Sequence, residues 1–402
     1  MALVNTSSWA KRLQATTGGF ASPLYVPQFW DDANALKAMI EGLFSGFADA
    51  AEPPVLRVYV SRGQRFDLEA KLVSAKRDSS ASFEQWIARV IGHKRFCVTL
   101  NGLTKWNDSF HSLLHQRLVR PLLKVAGTPV GGLDFYAFIG NYGFTPFGIH
   151  DDGELSFLLH LGEETKDAYL WPQEVFLKRA GKPTSNFDFA GLKRWAVRYS
   201  LRPGDLLFIP KGVYHVLNST GFSVTLGFTV FPATREVQIL ESLKLLYDAA
   251  GTPQVFFAGD VNWEKSVRKI KLQVDADALT NAHWRYRMIL KSNGYVTTPP
   301  LELGVDFKDL NLTTARFQVP AKFKIYYSET AGRLEIFVRG RALRMRSHNN
   351  LLKLIRFLNT GKRFTFGQFA SVLANELTEP AIRQVFANFY RLRAFYQLTN
   401  TN

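Results

Sequence analysis

The chain has 402 residues, 46% hydrophobic and 21% charged, a globular composition too long for one ordinary core and therefore expected to form two or three domains. Fifty Lys and Arg against 34 Asp and Glu leave a formal charge of +16, which suits an anionic partner such as nucleic acid, a ribosomal particle or an acidic peptide; no run of like charges is long enough for a basic tail. The single cysteine, Cys97, excludes an intrachain disulfide and a cysteine zinc site. No uncharged apolar run reaches the roughly 18 residues of a membrane span, and Met1 to Gln14 lacks a signal pattern, so the expectation is a cytoplasmic protein with no membrane partner.

Residues 1–50 read as an irregular or partly helical lead-in, with helical apolar spacing at Leu36, Met39, Ile40, Leu43, Phe44 and Phe47. Val55 to Val60 is a strand candidate, Ser82 to Val90 a helix, Phe96 to Leu100 a strand, and Asn107 to Val125 a longer helix with its leucines inward. From Asp134 the texture changes to short β-rich runs punctuated by Gly, Pro, Asn and Asp: Phe135–Ile139, Leu155–Leu161, Ala168–Trp171, Trp195–Tyr199, Leu206–Ile209, Val213–Leu217 and Phe222–Phe231. Such spacing predicts a barrel or sandwich. After Pro232, Glu236 to Ala249 is an amphipathic helix, and helical segments continue to about residue 293. Strands at Phe323–Tyr327, Arg333–Val338 and Ala342–Met345 follow. Three short helices close the chain, the second opened by a Thr365/Gln368 capping box and the third by Thr378 with Pro380. Helices with a small sheet at this size predict a winged-helix-like module.

The chemistry sits in Thr145-Pro-Phe-Gly-Ile-His150-Asp151-Asp152-Gly. On an extended segment His150 and Asp152 project to one side, because side chains alternate with period two. Asp151 is the alternative carboxylate, and the same period favours Asp152. A third ligand must come from a later strand: His215, in Pro203-Gly-Asp-Leu-Leu-Phe-Ile-Pro-Lys-Gly-Val-Tyr-His215, where Pro210 and Gly212 make the turn that delivers it. Two imidazoles and one carboxylate leave open positions on a metal, which suits non-haem iron(II) better than the closed tetrahedron of zinc. The competing reading, in which His150 and Asp152 are a loop hydrogen-bonding pair, is weakened by the second motif. Its glycines, proline and histidine (Gly204, Pro210, Gly212, His215) agree with the second cupin motif, although Asn218 falls one residue earlier than the Asn of that pattern. His160 is read as a core histidine or one that supports the ligands. His93, His111, His115, His283 and His348 are read as structural. Phe144, Phe147, Phe157 and Leu159 are candidate cavity walls, each also suited to the core.

On these motifs the sequence resembles the Jumonji-C branch of the cupin-fold 2-oxoglutarate oxygenases, over roughly Asp134 to Phe231. Lys166-Asp-Ala-Tyr-Leu-Trp-Pro172 looks like the family strand whose lysine anchors the distal carboxylate of 2-oxoglutarate, one residue further from the metal motif than in the relatives compared. The competing reading is an ordinary turn lysine beside Glu163 and Glu164. The resemblance implies an α+β chain: a double-stranded β-helix with its N-terminal extension over residues 1–235, a helical and dimerising middle over 236–300, and a winged-helix-like domain over 301–402. In this architecture it is similar to the ribosomal oxygenases and the bacterial ribosomal-protein arginine hydroxylase. It implies Fe(II) held by His150, Asp152 and His215, 2-oxoglutarate as co-substrate contacted by Lys166, Thr145 and Tyr136, and O₂ as oxidant. Two departures stand out: Phe147 occupies a position where some relatives have Thr, leaving Thr145 as its stand-in, and Gly227 lies near where others place an Asn. The function implied is hydroxylation of a C–H bond in a protein or peptide side chain. Two alternatives stand beside it: a hydroxylase of a small metabolite or peptide natural product, and a non-catalytic cupin-like binder whose winged helix, with Arg383, Arg391 and Arg393 near its end, holds DNA.

Overall fold

Seven β-rich runs with turn residues between them can bury their apolar faces only by pairing into sheets that cover one another. The computed structural model, which describes residues 8–78, 80–92, 95–182, 184–250, 275–304, 312–330 and 332–398, shows how they do so. The chain forms two compact units, Met1–Pro232 with Val296–Leu301, and Ala233–Tyr295 with Glu302–Asn402.

The strands of the first unit are, in chain order, β1 (Leu24–Val26), β2 (Val55–Val60), β3 (Gly63–Gln64), β4 (Cys97–Asn101), β5 (Leu133–Gly140), β6 (Gly143–Phe144), β7 (Leu155–His160), β8 (Lys166–Trp171), β9 (Val197–Leu201), β10 (Leu206–Ile209), β11 (Tyr214–Ser219) and β12 (Ser223–Val230). One sheet runs β1-β10-β7-β12-β5-β4-β2-β3 and the other β6-β11-β8-β9. Within these, β5-β12-β7-β10 and β6-β11-β8-β9 form the two antiparallel four-strand faces of a double-stranded β-helix. Strands β4, β2 and β3 widen the larger face on one side and β1 on the other.

Period two divides the large sheet. Phe135, Phe228, Phe157 and Phe208 sit opposite one another across four strands and face outward, with the Phe157 and Phe228 rings stacked at 4.2 Å. The helix Ser8–Thr16 covers this row with Trp9, whose ring meets Phe157 edge-on. Phe157 and Leu159, read from sequence as cavity walls, therefore belong to the outward core. Their neighbours Ser156, Leu158 and His160 face the barrel interior. Gly204, at φ +89°, has its α-carbon so close to the Trp30 carbonyl that a Cβ would lie 2.4 Å from that oxygen. Next to it Asp205 accepts hydrogen bonds from Gln28 N, Arg202 N and the Tyr25 hydroxyl, so the Pro203-Gly-Asp turn locks the lead-in to the barrel.

The helix expected over Asn107–Val125 is present as Asp108–Leu114 and Arg120–Ala126, joined by one π-turn at His115–Val119. Helices Ser8–Thr16 and Gln173–Ala180 lie where sequence patterning gave no clear element.

In the second unit the helices Arg235–Ala250 and Ala276–Ser292 pack on each other; the helical expectation between them lies outside the described residues. Strands β13 (Arg316–Gln318), β14 (Tyr326–Thr330), β15 (Arg333–Val338), β16 (Arg341–Arg346), β17 (Phe364–Thr365) and β18 (Tyr396–Gln397) form two three-stranded sheets, β14-β15-β16 and β17-β13-β18. Helices Asn349–Asn359, Phe366–Leu373 and Glu379–Arg391 close around Phe317, Phe364, Phe369, Phe386 and Phe395. Among the described residues no helix is long and apolar enough to cross a membrane.

Candidate metal centre

His150 and His215 face each other as a mutually hydrogen-bonded antiparallel pair: His150 N donates to His215 O at 3.1 Å and His215 N to His150 O at 2.7 Å. Residues so paired carry their side chains on the same face, and the two rings lie 4.6 Å apart. Asp152, two residues on, shares that face. Its Oδ1 lies 3.7 Å from His150 Nε2 and its Oδ2 3.7 Å from His215 Nε2. One ligand atom from each residue falls within 4.8 Å of the others. Asp151 is not part of this group.

Each imidazole is held in the tautomer a metal requires. His150 Nδ1 donates to Gly148 O at 2.9 Å and His215 Nδ1 to Val213 O at 3.1 Å. A carbonyl only accepts, so both protons sit on Nδ1 and both Nε2 lone pairs face the gap. Burial, and then the neighbouring His215, lower the His150 pKa and favour its neutral form. Ser156 Oγ donates to Asp152 Oδ2 at 2.7 Å, which fixes the carboxylate. Gly148 makes the bend before the histidine at φ +71°; a Cβ there would meet Asn186 O at 2.8 Å. The donor set and its orientation fit a divalent metal with sites left over for other ligands.

The three residues lie on the wall of a cavity of about 390 Å³. Tyr136, Phe138, Thr145 and Phe147 share that wall. Burial and the Asp152 carboxylate hold the Tyr136 phenol far above its ordinary pKa, so it stays neutral. Its ring lies over Gly227, directly opposite on β12, where a Cβ would come within 2.2 Å of it. The Thr145 hydroxyl is buried without a hydrogen-bond partner.

The structure does not bring Lys166 onto this wall. Lys166 is fully buried at the start of β8, and its ammonium donates to the hydroxyls of Tyr142, Thr225 (2.7 Å) and Ser223 (3.4 Å). Burial lowers its pKa to about 7. His160 is a core histidine whose Nε2 bonds Glu164 O at 2.6 Å. His111 and His115 are buried in the π-turn region, and His93 lies outside the described residues.

Sequence reasoning passed over residues on the same wall: Arg57 on β2, Thr99 and Asn101 on β4, and Asp134 on β5. The available signal was polar residues at period two in otherwise apolar strands, Arg57 between Leu56 and Val58, Thr99 between Val98 and Leu100. Asp134 is buried, which raises its carboxyl pKa to about 6.

No family model matches the sequence, and no curated protein matches it in sequence. Solved structures do match its shape. Escherichia coli ycfD is 12% identical, with a TM-score of 0.51 over 96% of this chain and 98% of that one. The same organism's YcfD, described as a ribosomal oxygenase, in complex with cobalt and succinic acid, gives 0.47 at 12% identity over 94% and 95%. The non-heme alpha ketoglutarate dependent epimerase SnoN from nogalamycin biosynthesis gives 0.34 at 12% identity over 62% of this chain and 94% of that one. At such identity the likeness is one of fold, and the chain has the fold of ycfD over nearly its whole length.

Proposed function

We propose that this chain is an Fe(II)- and 2-oxoglutarate-dependent oxygenase that hydroxylates a C–H bond, with a protein or peptide side chain as its substrate. The observation that carries this is the convergence of His150, Asp152 and His215, both Nε2 atoms facing one gap, on the wall of a cavity large enough for a keto acid beside the metal. With iron bound, O₂ and 2-oxoglutarate would be converted to CO₂ and succinate while one oxygen atom enters the substrate bond. The residues of the chain do the rest. Gly148 O and Val213 O orient the imidazoles, Ser156 holds the carboxylate, and Phe138, Phe147 and Leu158 keep the cavity apolar next to the metal. The likeness to a structure described as a ribosomal oxygenase and the +16 charge agree with a protein substrate in an anionic particle.

Anaerobic loading with Fe(II) should give one iron per chain and 2-oxoglutarate-dependent succinate release. His150→Ala and His215→Ala should each lose the iron, because two remaining ligands do not hold it. Full iron occupancy in either variant refutes the centre. Mass spectrometry of a cell lysate after turnover, read for peptides that gain one oxygen, identifies the substrate.

In the same reading residues 1–235 are catalytic, 236–300 form a homodimer contact, and 301–402 are a winged-helix-like domain. Val237, Ile239 and Leu240 stand 39–56% exposed on the helix Arg235–Ala250, which suits cover by a second copy; a monomer by light scattering would count against it. The winged helix is read as a packing module rather than a DNA reader. Arg383 pairs with Glu379 at 2.9 Å and Arg391 with Glu302 at 3.4 Å, which neutralises charges a phosphate backbone would need.

A further inference from the structure

The sheet face that lines the metal cavity continues past it. On β2 and β4 alternate residues share one face. Arg57 and Thr99, paired in register, line the metal cavity; Tyr59 and Cys97, also paired and two residues away, line a second cavity of about 390 Å³. Phe147 is the partition. It lines the metal cavity, its ring lies 5.7 Å from that of His150, and it meets the Tyr59 ring edge-on at 5.4 Å.

The two cavities differ in charge. The metal cavity carries Asp134, Asp152 and Glu154 against one arginine, Arg57. The second carries Arg62 and Arg95, with Ser61, Asn218 and Thr220 as neutral hydrogen-bonding groups, and among the described residues no acidic side chain lines it. Both arginines are exposed, so an anion can reach them without a change in the fold. Arg62 is nevertheless held in place. It is the second residue of the two-residue turn between Val60 and Gly63, where Ser61 and Arg62 both take positive φ, +51° and +72°. Its guanidinium lies 5.0 Å over the Phe187 ring, and Phe187 packs beside Gly148, the bend before His150. Such turns favour Asn and Gly. An arginine fixed there on an aromatic face keeps its N–H edge free for a carboxylate and has less freedom to lose on binding one.

Spacing decides what fits both cavities. Thr99 and Cys97 are two residues apart on β4, about 7 Å. In an extended polypeptide the side chains at i and i+2 leave the same side of the chain at that spacing. A substrate side chain in the metal cavity therefore sets the one two positions away over the second cavity, where paired guanidinium donors suit a carboxylate.

We propose that the second cavity is a substrate subsite: Arg62 and Arg95 hold the carboxylate of an Asp or Glu that lies two positions from the oxidised residue in an extended polypeptide. This rests on the oxygenase reading above and adds a sequence preference to it. Charge complementarity of this kind contributes to specificity more than to raw affinity.

The probe is a synthetic nonapeptide library with randomised positions, turned over by the full-length chain loaded with Fe(II) in the presence of 2-oxoglutarate. Members that gain one oxygen are sequenced by mass spectrometry. Asp and Glu should be enriched two positions from the oxidised residue. For one such peptide, replacing the acid by its amide should raise KM about five- to fiftyfold, as for charge-assisted hydrogen bonds in a partly open cavity, with little change in kcat. Arg62→Gln with Arg95→Gln should bring the two peptides to one KM while the chain still binds one iron. Arg62→Glu with Arg95→Glu should turn the preference to Lys. Oxidised peptides without an acidic preference, or a preference that the double glutamine variant keeps, overturn the subsite and leave the oxygenase standing. A preference for phosphoserine in a library that contains it, or inhibition by a single-stranded RNA oligonucleotide that the glutamines relieve, overturns it in favour of a phosphate ligand. Succinate release with no oxidised peptide removes the peptide substrate and the subsite together; absence of both products sinks the metal centre as well.

Discussion

Tyr136 and Gly227 occupy what is sterically one position on two paired strands. The tyrosine ring fills the space a side chain on β12 would need, with 2.2 Å between its Cε2 and an ideal Cβ at 227. Gly227→Ala should therefore destabilise the chain by about 1–3 kcal/mol, the range for overpacking a core, and Tyr136→Ala should recover most of that loss. Urea unfolding of the two single variants and the double variant checks it; additive effects would show that the ring and the glycine are independent. Lys166 allows a second prediction. Its pKa falls from an ordinary 10.5 to about 7 through burial, so from pH 7 upward the unfolded chain binds more protons there than the folded one. The desolvation penalty is complete below pH 7 and fades as pH rises. The melting temperature should climb from pH 7 to 9 in the wild type relative to Lys166→Met, and identical slopes would contradict it. At this scale the metal residues were legible because His150 and Asp152 are two apart in an extended segment and His215 follows a Pro-Gly turn. Arg57 and Thr99 were not, because their facing depends on which sheet β2 and β4 join, a long-range fact that local pattern does not contain.

Elements were legible where a pattern repeats several times. The strands β5, β7, β10, β11 and β12 each formed within a residue or two of their apolar runs, since turn residues bound both ends. The aromatic row Phe135–Phe228–Phe157–Phe208 explains much of the phenylalanine content, and it also misled, because Phe157 looks like a cavity wall until the register assigns its face. The helix Ser8–Thr16 escaped notice: it is short, with three buried residues, Trp9, Ala10 and Leu13, and owes its stability to packing on the sheet rather than to propensity. Capping was readable. Thr365 accepts from Gln368 N, and the Gln368 side chain accepts from Thr365 N, a reciprocal pair that satisfies two N–H groups at the start of Phe366–Leu373. Thr365→Ala should cost about 1 kcal/mol, read as a lower denaturant midpoint at unchanged m-value.

At the scale of the whole molecule the chain leaves the β-helix after Pro232 and returns to it at Val296–Leu301, a return no local signal announces. The returning segment bonds to residues of the first unit, among them Asp134 of the cavity wall. Thr297 N donates to Leu133 O at 2.9 Å, Leu301 N to Lys105 O at 3.1 Å, and Thr298 Oγ1 to Asp134 Oδ1 at 3.3 Å. Gly102, at φ +65°, leaves room for Thr298, whose Cγ2 would lie 2.9 Å from a Cβ there. Burial raises the Asp134 carboxyl from an ordinary 3.8 to about 6, against hydrogen bonds from the Phe135 and Gly102 backbone and from Thr298 that favour its charged form. The folded chain thus holds the proton more tightly than the unfolded one between pH 3.8 and 6, so this group's contribution to stability falls as pH rises through that window and is at its least favourable above it. Removing the Thr298 hydroxyl takes away one of the groups that offset the penalty. Thr298→Val should therefore cost about 1–3 kcal/mol at pH 7.5, as for a lost hydrogen bond to a buried charge, and clearly less at pH 5, where part of the Asp134 population is protonated. Chemical denaturation of wild type and variant at the two pH values measures the difference. An equal loss at both would mean that Thr298 acts through packing against Gly102 and not through the carboxylate.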